Sequence, residues 1–350
     1  MAKSYIYIKG LKHVDHTVFC VEKEQKTYWD EQFQQSVAYS SGQQIKRTIM
    51  EELLSFLGEE PAPITFYFYA PNLDEKEVVS PADPRYSDQL IGGWMIAHSK
   101  AKNRTIKRRS PLSISAMRPL HPLLSNVHKE NLTFDRSDKP EIHKSIVKDK
   151  NGNILNEKEV NKLLLNVDRS IRRKWIPDKT RTSGLFVYDI AIDLRTLFCI
   201  SINQLEPELS SETIDRLKEE GWHFSKNVFG PCLVVPENRR NSIINALAHA
   251  LINWRITTNQ ARTFSPMETL AIALSDSADK IAGAIRAKLT EETEKQRAIP
   301  IIDDTSGAEL FIALPCDGYI SGIHGTAHAL EQAEERIKNL LLDYDYEKQI

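Results

Sequence analysis

Four cysteines, Cys20, Cys199, Cys232 and Cys316, stand far apart in a chain of 350 residues, and no two form a Cys-x-x-Cys pair. A disulfide framework or a structural zinc is therefore not expected, and a reduced, cytoplasmic setting is. No uninterrupted apolar run approaches the roughly 18 residues of a membrane span; the nearest stretch, Asn241–Trp254, is amphipathic. The start, Met-Ala-Lys-Ser-Tyr, has no apolar signal core, so export is not expected. Glycine-rich phosphate loops, His-Glu-x-x-His and Gly-x-Ser-x-Gly are all missing. Their absence removes the commonest signatures of nucleotide, zinc-protease and serine-hydrolase chemistry. Net charge is also scarce: 46 basic residues face 48 acidic ones, a formal balance of −2. Overall charge thus selects no partner, and only its distribution can.

That distribution is uneven. From Gln89 to Lys129 there is no Asp or Glu among 41 residues, while Lys100, Lys102, Arg104, Lys107, Arg108, Arg109, Arg118 and Lys129 fall inside. Arg169, Arg172, Arg173, Lys174, Lys179 and Arg181 form a second basic cluster. A third acid-free window, Asn238 to Met267, holds Arg239, Arg240, Arg255 and Arg262. Acids gather at Glu206 to Glu220 and after Glu331. A neutral chain with segregated charge can present one positive surface, and a phosphate backbone is the commonest polyanion to fit it. Each run taken alone is also consistent with a solvated face.

With 41% apolar and 27% charged residues the chain is globular, and its length calls for more than one average domain. Tyr5–Ile8, Val14–Val21 and Ile64–Ala70 read as strands, as do Leu270–Leu274 and Leu310–Ala313. In Phe186–Ile202 the apolar side chains Phe186, Tyr188, Ile190 and Ile192 alternate onto one face. Helices are expected at Gln44–Leu57, Gln89–Lys102, Glu157–Arg173, Ser211–Glu220, Arg239–Trp254 and Ala327–Asp343, and a hairpin at Trp222–Val235. An Asn151-Gly152 turn interrupts the polar stretch 131–184. Strong signals thus occupy 1–70 and 185–350, with a basic, weakly periodic insertion between them.

Candidates for catalysis are thin. His324 and His328 lie four apart but Gly325 separates them, and His13 and His16 fall on opposite faces of a strand. Asp303-Asp304 reads as a solvated turn. No metal or other cofactor is expected. The segment that stands out is Ser40-Ser41-Gly42-Gln43-Gln44-Ile45-Lys46-Arg47. Hydroxyls, a glycine and two amides open a helix carrying Lys46 and Arg47, a combination suited to phosphate; it also reads as an ordinary capped helix.

That helix start resembles the Ser-Ser-Gln-x-Leu-Lys-Arg start of the CRISPR Cascade backbone subunits, the DevR-like group of the seventh Cas family. Further stretches follow in the family's order. Ser113-Ile114-Ser115-Ala116-Met117-Arg118-Pro119 resembles its Ala-Leu-Ser-Gly-Arg-Met loop, with Arg118 after Met117 where the family Arg precedes Met. Leu132-Thr133-Phe134-Asp135-Arg136-Ser137 sits where a polar signature begins the thumb, and Ser183 to Leu194 resembles the strand after it. Asn259-Gln260-Ala261-Arg262-Thr263-Phe264-Ser265-Pro266 resembles the Lys-Gln-Arg-Thr segment after the long helix. Gly42 is an insertion relative to the family pattern.

The resemblance implies an α+β fold, a ferredoxin-like or modified RNA-recognition-motif palm split by insertions. Its parts would be a palm over 1–70 and 185–350, a finger over 71–121 and a thumb over 122–184. It implies a guide-RNA-binding backbone subunit of an antiviral interference complex, polymerising along crRNA with copies of itself and other Cascade subunits. The bases would be presented to a target nucleic acid, DNA in the reading taken here, with no membrane partner. RNA-binding residues implied are Ser40, Ser41, Gln43, Gln44, Lys46, Arg47, Lys107, Arg108, Arg109, Met117, Arg118, Arg172, Arg173, Gln260 and Arg262. Met117 would be the apolar wedge that displaces a base, unless it simply packs in the core. The chain is not expected to be an enzyme. The alternatives are target-RNA cleavage through Asp30, in the loop Trp29-Asp30-Glu31, and a generic single-stranded RNA-binding protein.

Overall fold

The computed structural model describes residues 4–19, 25–69, 72–96, 105–135, 146–165, 173–257, 264–290 and 296–350. Its frame is one antiparallel sheet. The elements that build it are β1 (Tyr5–Thr17), α1 (Gly42–Leu57), β2 (Leu112–Ile114), β3 (Ser125–Asp135) and β4 (Arg173–Asp193). They continue with α2 (Glu237–Asn253), β5 (Glu268–Ser275), β6 (Glu309–Ile312) and α3 (Ala329–Leu342). The strand order is β3–β4–β1–β5–β6, with β2 pairing β4 beyond the end of β3. All these neighbours run antiparallel. The chain path β1–α1–β3–β4–α2–β5 with β4 and β1 central is the ferredoxin-like arrangement, so the fold is the expected α+β palm.

Side-chain alternation sets its two faces. Ile6 and Ile8 of β1, Phe186, Tyr188, Ile190 and Ile192 of β4, and Ile272 and Leu274 of β5 lie in one core with the helices. Helix α1 adds Ile45, Ile49, Leu53 and Leu54 at helical spacing. Each such side chain taken from water stabilises the fold by about 1.5–3 kcal/mol. Leu11, Val187, Ala271 and Ala273 point the other way, into a smaller core with Ile281, Ile285 and Ile302. The helix Ala278–Ala284 and hairpin Ile285–Leu289/Ala298–Ile302 that supply those last residues had no periodic signal long enough to be read from sequence.

Several expected boundaries move. The strand expected at 5–8 and the first part of that expected at 14–21 are one strand, Tyr5–Thr17, because Lys9 and Lys12 are accommodated inside it; Cys20 and Val21 lie outside the described residues. The helix expected at 89–102 is a short one, Ser87–Gly92, and Trp94–Ile96 then pairs with Ile106–Arg108. Adjacent Gly92 and Gly93 end it, glycine being the weakest helix former after proline. The helix expected at 157–173 spans Glu157–Leu164, opened by a reciprocal cap between Asn156 and Glu159. Gly58 at φ 67 ends α1 as anticipated. Within 71–121, residues 112–114 and 118–119 return to the main sheet, and within 122–184 β3 pairs with the first half of β4 as a long arm. No helix among the described residues is long and apolar enough to cross a membrane.

Lys12 is the costly feature of this sheet. Its side chain is fully buried, donating to Thr269 Oγ1 at 2.7 Å and to the Met267 carbonyl at 3.3 Å. It lies 4.6 Å from the centroid of the Trp254 ring. Burial, with Arg255 nearby, pushes its pKa down to about 7. An unfolded lysine keeps its proton to about pH 10.4. Between those values the unfolded chain binds more protons, so stability rises with pH by up to about 1.4 kcal/mol per unit. Lys12→Met is expected to remove that slope between pH 7 and 10 in urea titrations; equal slopes in both proteins would refute the burial of a titrating ammonium.

Candidate nucleic-acid interface

Three open depressions adjoin along β2, and Ser113 lines all of them. The first, about 410 Å³, lies at the start of α1. The second, about 480 Å³, lies over the open part of the palm sheet. The third, about 600 Å³, lies beside the strand Ile106–Arg108. All three open around Ser113 on β2, as three sections of one surface.

The helix start forms the first section. Ser41 is the N-cap, its hydroxyl accepting from the Gln44 N–H, and Ser40 Oγ donates to Gln44 Oε1 at 3.1 Å. The Ser40 backbone exchanges two 3.0 Å hydrogen bonds with Met117, fastening the helix entry to the returning segment. Gly42 then presses on β2: a Cβ there would stand 2.5 Å from the Ile114 carbonyl oxygen. A glycine at position 42 is thus a steric requirement. Gly42 and Gln43, whose N–H groups are among the four a helix leaves without intrahelical partners, line the depression with Ser41 and Lys46. Lys46 Nζ donates to the Gly92 carbonyl at 2.8 Å, and burial lowers its pKa to about 8. Arg47 leaves the groove, pairing with Glu51 on the exposed side of the helix at 2.8 Å.

The second section is a charge triad. Asp189 accepts from Lys9 at 3.2 Å and from both terminal nitrogens of Arg118 at 3.1 Å. Two cations share one carboxylate, leaving a surplus positive charge beside Tyr7, Ser113 and Ser115. The hairpin Thr27–Asp30/Gln35–Ala38 stands next to it and exposes Tyr28 and Trp29.

In the third section Lys107 and Arg109 point into the groove and Arg108 does not. Strand alternation turns Arg108 inward, where it is 4% exposed and donates to the carbonyls of Thr196 and Cys199 and to Glu208. Its expected RNA contact is corrected: it is a bolt between loops. Met117 is corrected in the same way. It is completely buried in the main core, so it packs and offers no wedge to a strand.

Asp30 accepts from the Phe33 N–H at 2.9 Å, holding its own turn. Among the described residues no group of three or more His, Cys, Asp or Glu could hold a metal ion. His13 pairs with Glu268 and Tyr319, whereas His16 pairs with Glu130 and His128, so the two do not converge. Arg172, Gln260 and Arg262 lie outside the described residues, and Arg173 opens β4. Sequence reasoning missed Tyr7, Lys9, Ser113, Asp189 and Arg195. Lys9 and Asp189 stand directly opposite each other in two central strands, a pairing that only the long-range register creates.

No protein-family model matches the chain, and no curated protein does. Among solved structures it is similar to a chain of a "CRISPR RNA-guided surveillance complex", at 10% identity and a TM-score of 0.38, covering 96% of this chain and 84% of that one. It is also similar to a chain of a "CRISPR RNA-guided surveillance complex, pre-nicking", at 11% identity and a TM-score of 0.44, covering 96% and 89%.

The Gly42 contact can be checked directly. Alanine is the better helix former by about 1 kcal/mol, yet Gly42→Ala is expected to destabilise the protein by about 1–3 kcal/mol through overpacking. A gain in urea midpoint would refute the close approach.

Proposed function

We propose that the chain is a guide-RNA-binding backbone subunit of a Cascade-like CRISPR interference complex, holding crRNA by its backbone along the Ser113 groove. The observation that carries this reading is the clustering of three depressions around Ser113. They gather a helix N-terminus, hydroxyls and the cations Lys46, Arg118, Lys9, Lys107 and Arg109 on one surface. Such donors suit phosphates and 2′-hydroxyls without selecting a base. The residues of the family-like segments Ser40–Arg47 and Ser113–Pro119 meet across Gly42 and Ile114, which supports reading them as parts of one surface. In this role the bases remain free to pair with a target, and base pairing does the sequence readout. Copies of the chain stack along the guide, joined by other Cascade subunits, in antiviral defence.

Binding to single-stranded RNA should weaken linearly with log salt, by about 0.7 units per phosphate contact. Lys46→Ala with Arg118→Ala is expected to flatten that slope by about 1–2 units. Arg47→Ala, outside the groove, should leave it unchanged. Equal slopes in the double variant and the unaltered protein would remove the groove from the interface.

Assembly gives a second test. A head-to-tail contact that does not close produces a helix. Mass photometry on guides of increasing length should therefore show particle mass rising in steps of one subunit. A mass independent of guide length would reject polymerisation while leaving RNA binding standing.

A further inference from the structure

The third section sets one guanidinium against two aromatic rings. Arg195 lies 4.9 Å from the ring centroids of both Tyr5 and Phe229. It is fixed there by Asp193 at 2.8 Å and by the Tyr5 hydroxyl at 2.7 Å. Phe229 sits at the tip of the hairpin His223–Asn227/Gly230–Val234, where its N–H donates to Asn227 Oδ1 at 2.9 Å. Asn227 in turn donates to the Arg195 carbonyl at 3.0 Å. The ring is thus backed by a guanidinium and held by a braced turn, yet it is 54% exposed. An apolar ring kept rigid and left in water is costly unless something covers it.

The charges around it say what. Asp193 is neutralised by Arg195, and Glu208 by the buried Arg108. Lys107 and Arg109 make no side-chain hydrogen bond or ion pair among the described residues, leaving them against Glu206 at the rim. A ring beside two cations with no partner among the described residues, sharing Ser113 with the other two sections, matches the way single strands are gripped: backbone on cations, one base on a π-face. We propose that this section is a base-stacking subsite, in which one nucleobase of the bound single-stranded RNA lies on the outer face of Phe229 while Lys107 and Arg109 hold the adjacent phosphates. It rests on the RNA-binding reading and deepens it. Every base has a π-face, so the subsite should show little base preference.

The test uses the full chain and a short single-stranded RNA carrying 2-aminopurine at successive positions. Phe229→Leu keeps apolar bulk and removes the ring. It is expected to weaken binding about 5-fold or more and to abolish the fluorescence quenching that the unaltered protein produces at one position. Phe224→Leu, on the same hairpin and exposed but outside the depression, should leave both unchanged. Unaltered affinity and quenching in Phe229→Leu, with salt-sensitive binding intact, overturns the subsite alone. A loss confined to multi-subunit particles on long RNA assigns the ring to a protein contact and also overturns it. No RNA binding by the unaltered protein overturns the subsite together with the function it rests on.

Discussion

The meeting of α1 with the segment 112–118 is the contact on which the rest of the molecule's surface depends. The Ser40–Met117 backbone bridge and the Gly42–Ile114 approach bring a helix N-terminus against a strand that the chain reaches only after an insertion of more than fifty residues. Buried Met117 fills the space beneath the bridge. Because the approach needs the absence of a Cβ, any side chain at position 42 would push the helix start away from β2. Ser113 and Arg118 then fall on either side of the same short run and face open surface. Without this contact, the helix start and the palm floor would be separate patches.

The same geometry explains how a chain with a formal charge of −2 can carry a positive groove. Acids are present in it, but they are placed to orient cations. Asp189 holds Lys9 and Arg118, and Asp193 holds Arg195. Such pairs contribute little to stability at a surface. They do fix the direction of each side chain, which lowers the entropy lost when a polyanion binds. Local count matters more than net charge, since exposed charges beyond about 8–10 Å are screened at physiological salt.

Much of the frame was legible in the sequence. The face made by Phe186, Tyr188, Ile190 and Ile192 is the core face of β4, and Ser41 to Gly58 delimit α1 within a residue or two. These are local signals, set by periods of 2 and 3.6 and by cap chemistry. The site was legible only in part. Lys107, Arg108 and Arg109 look equivalent in a list, yet strand alternation sends the middle one inward, and a three-residue strand is too short to read beforehand. Met117 was expected as a wedge because its loop resembles the family's; its burial depends on Ser40, distant in sequence. Lys9 and Asp189 become a pair only through the β1–β4 register, a long-range property. Period-based reading ends where tertiary contacts begin.

A groove of this make-up imposes a division of labour on whatever strand it holds. Cations and helix N–H groups bind any phosphate, so they set affinity and direction without reading sequence. In the proposed subsite Phe229 adds a different constraint. It lines the same depression as Lys107 and Arg109, so a base on its ring and the phosphates on those cations belong to neighbouring nucleotides of one strand. Because every base and every phosphate offers the same contact at each step, neither the ring nor the cations select a sequence, and that readout is left to base pairing.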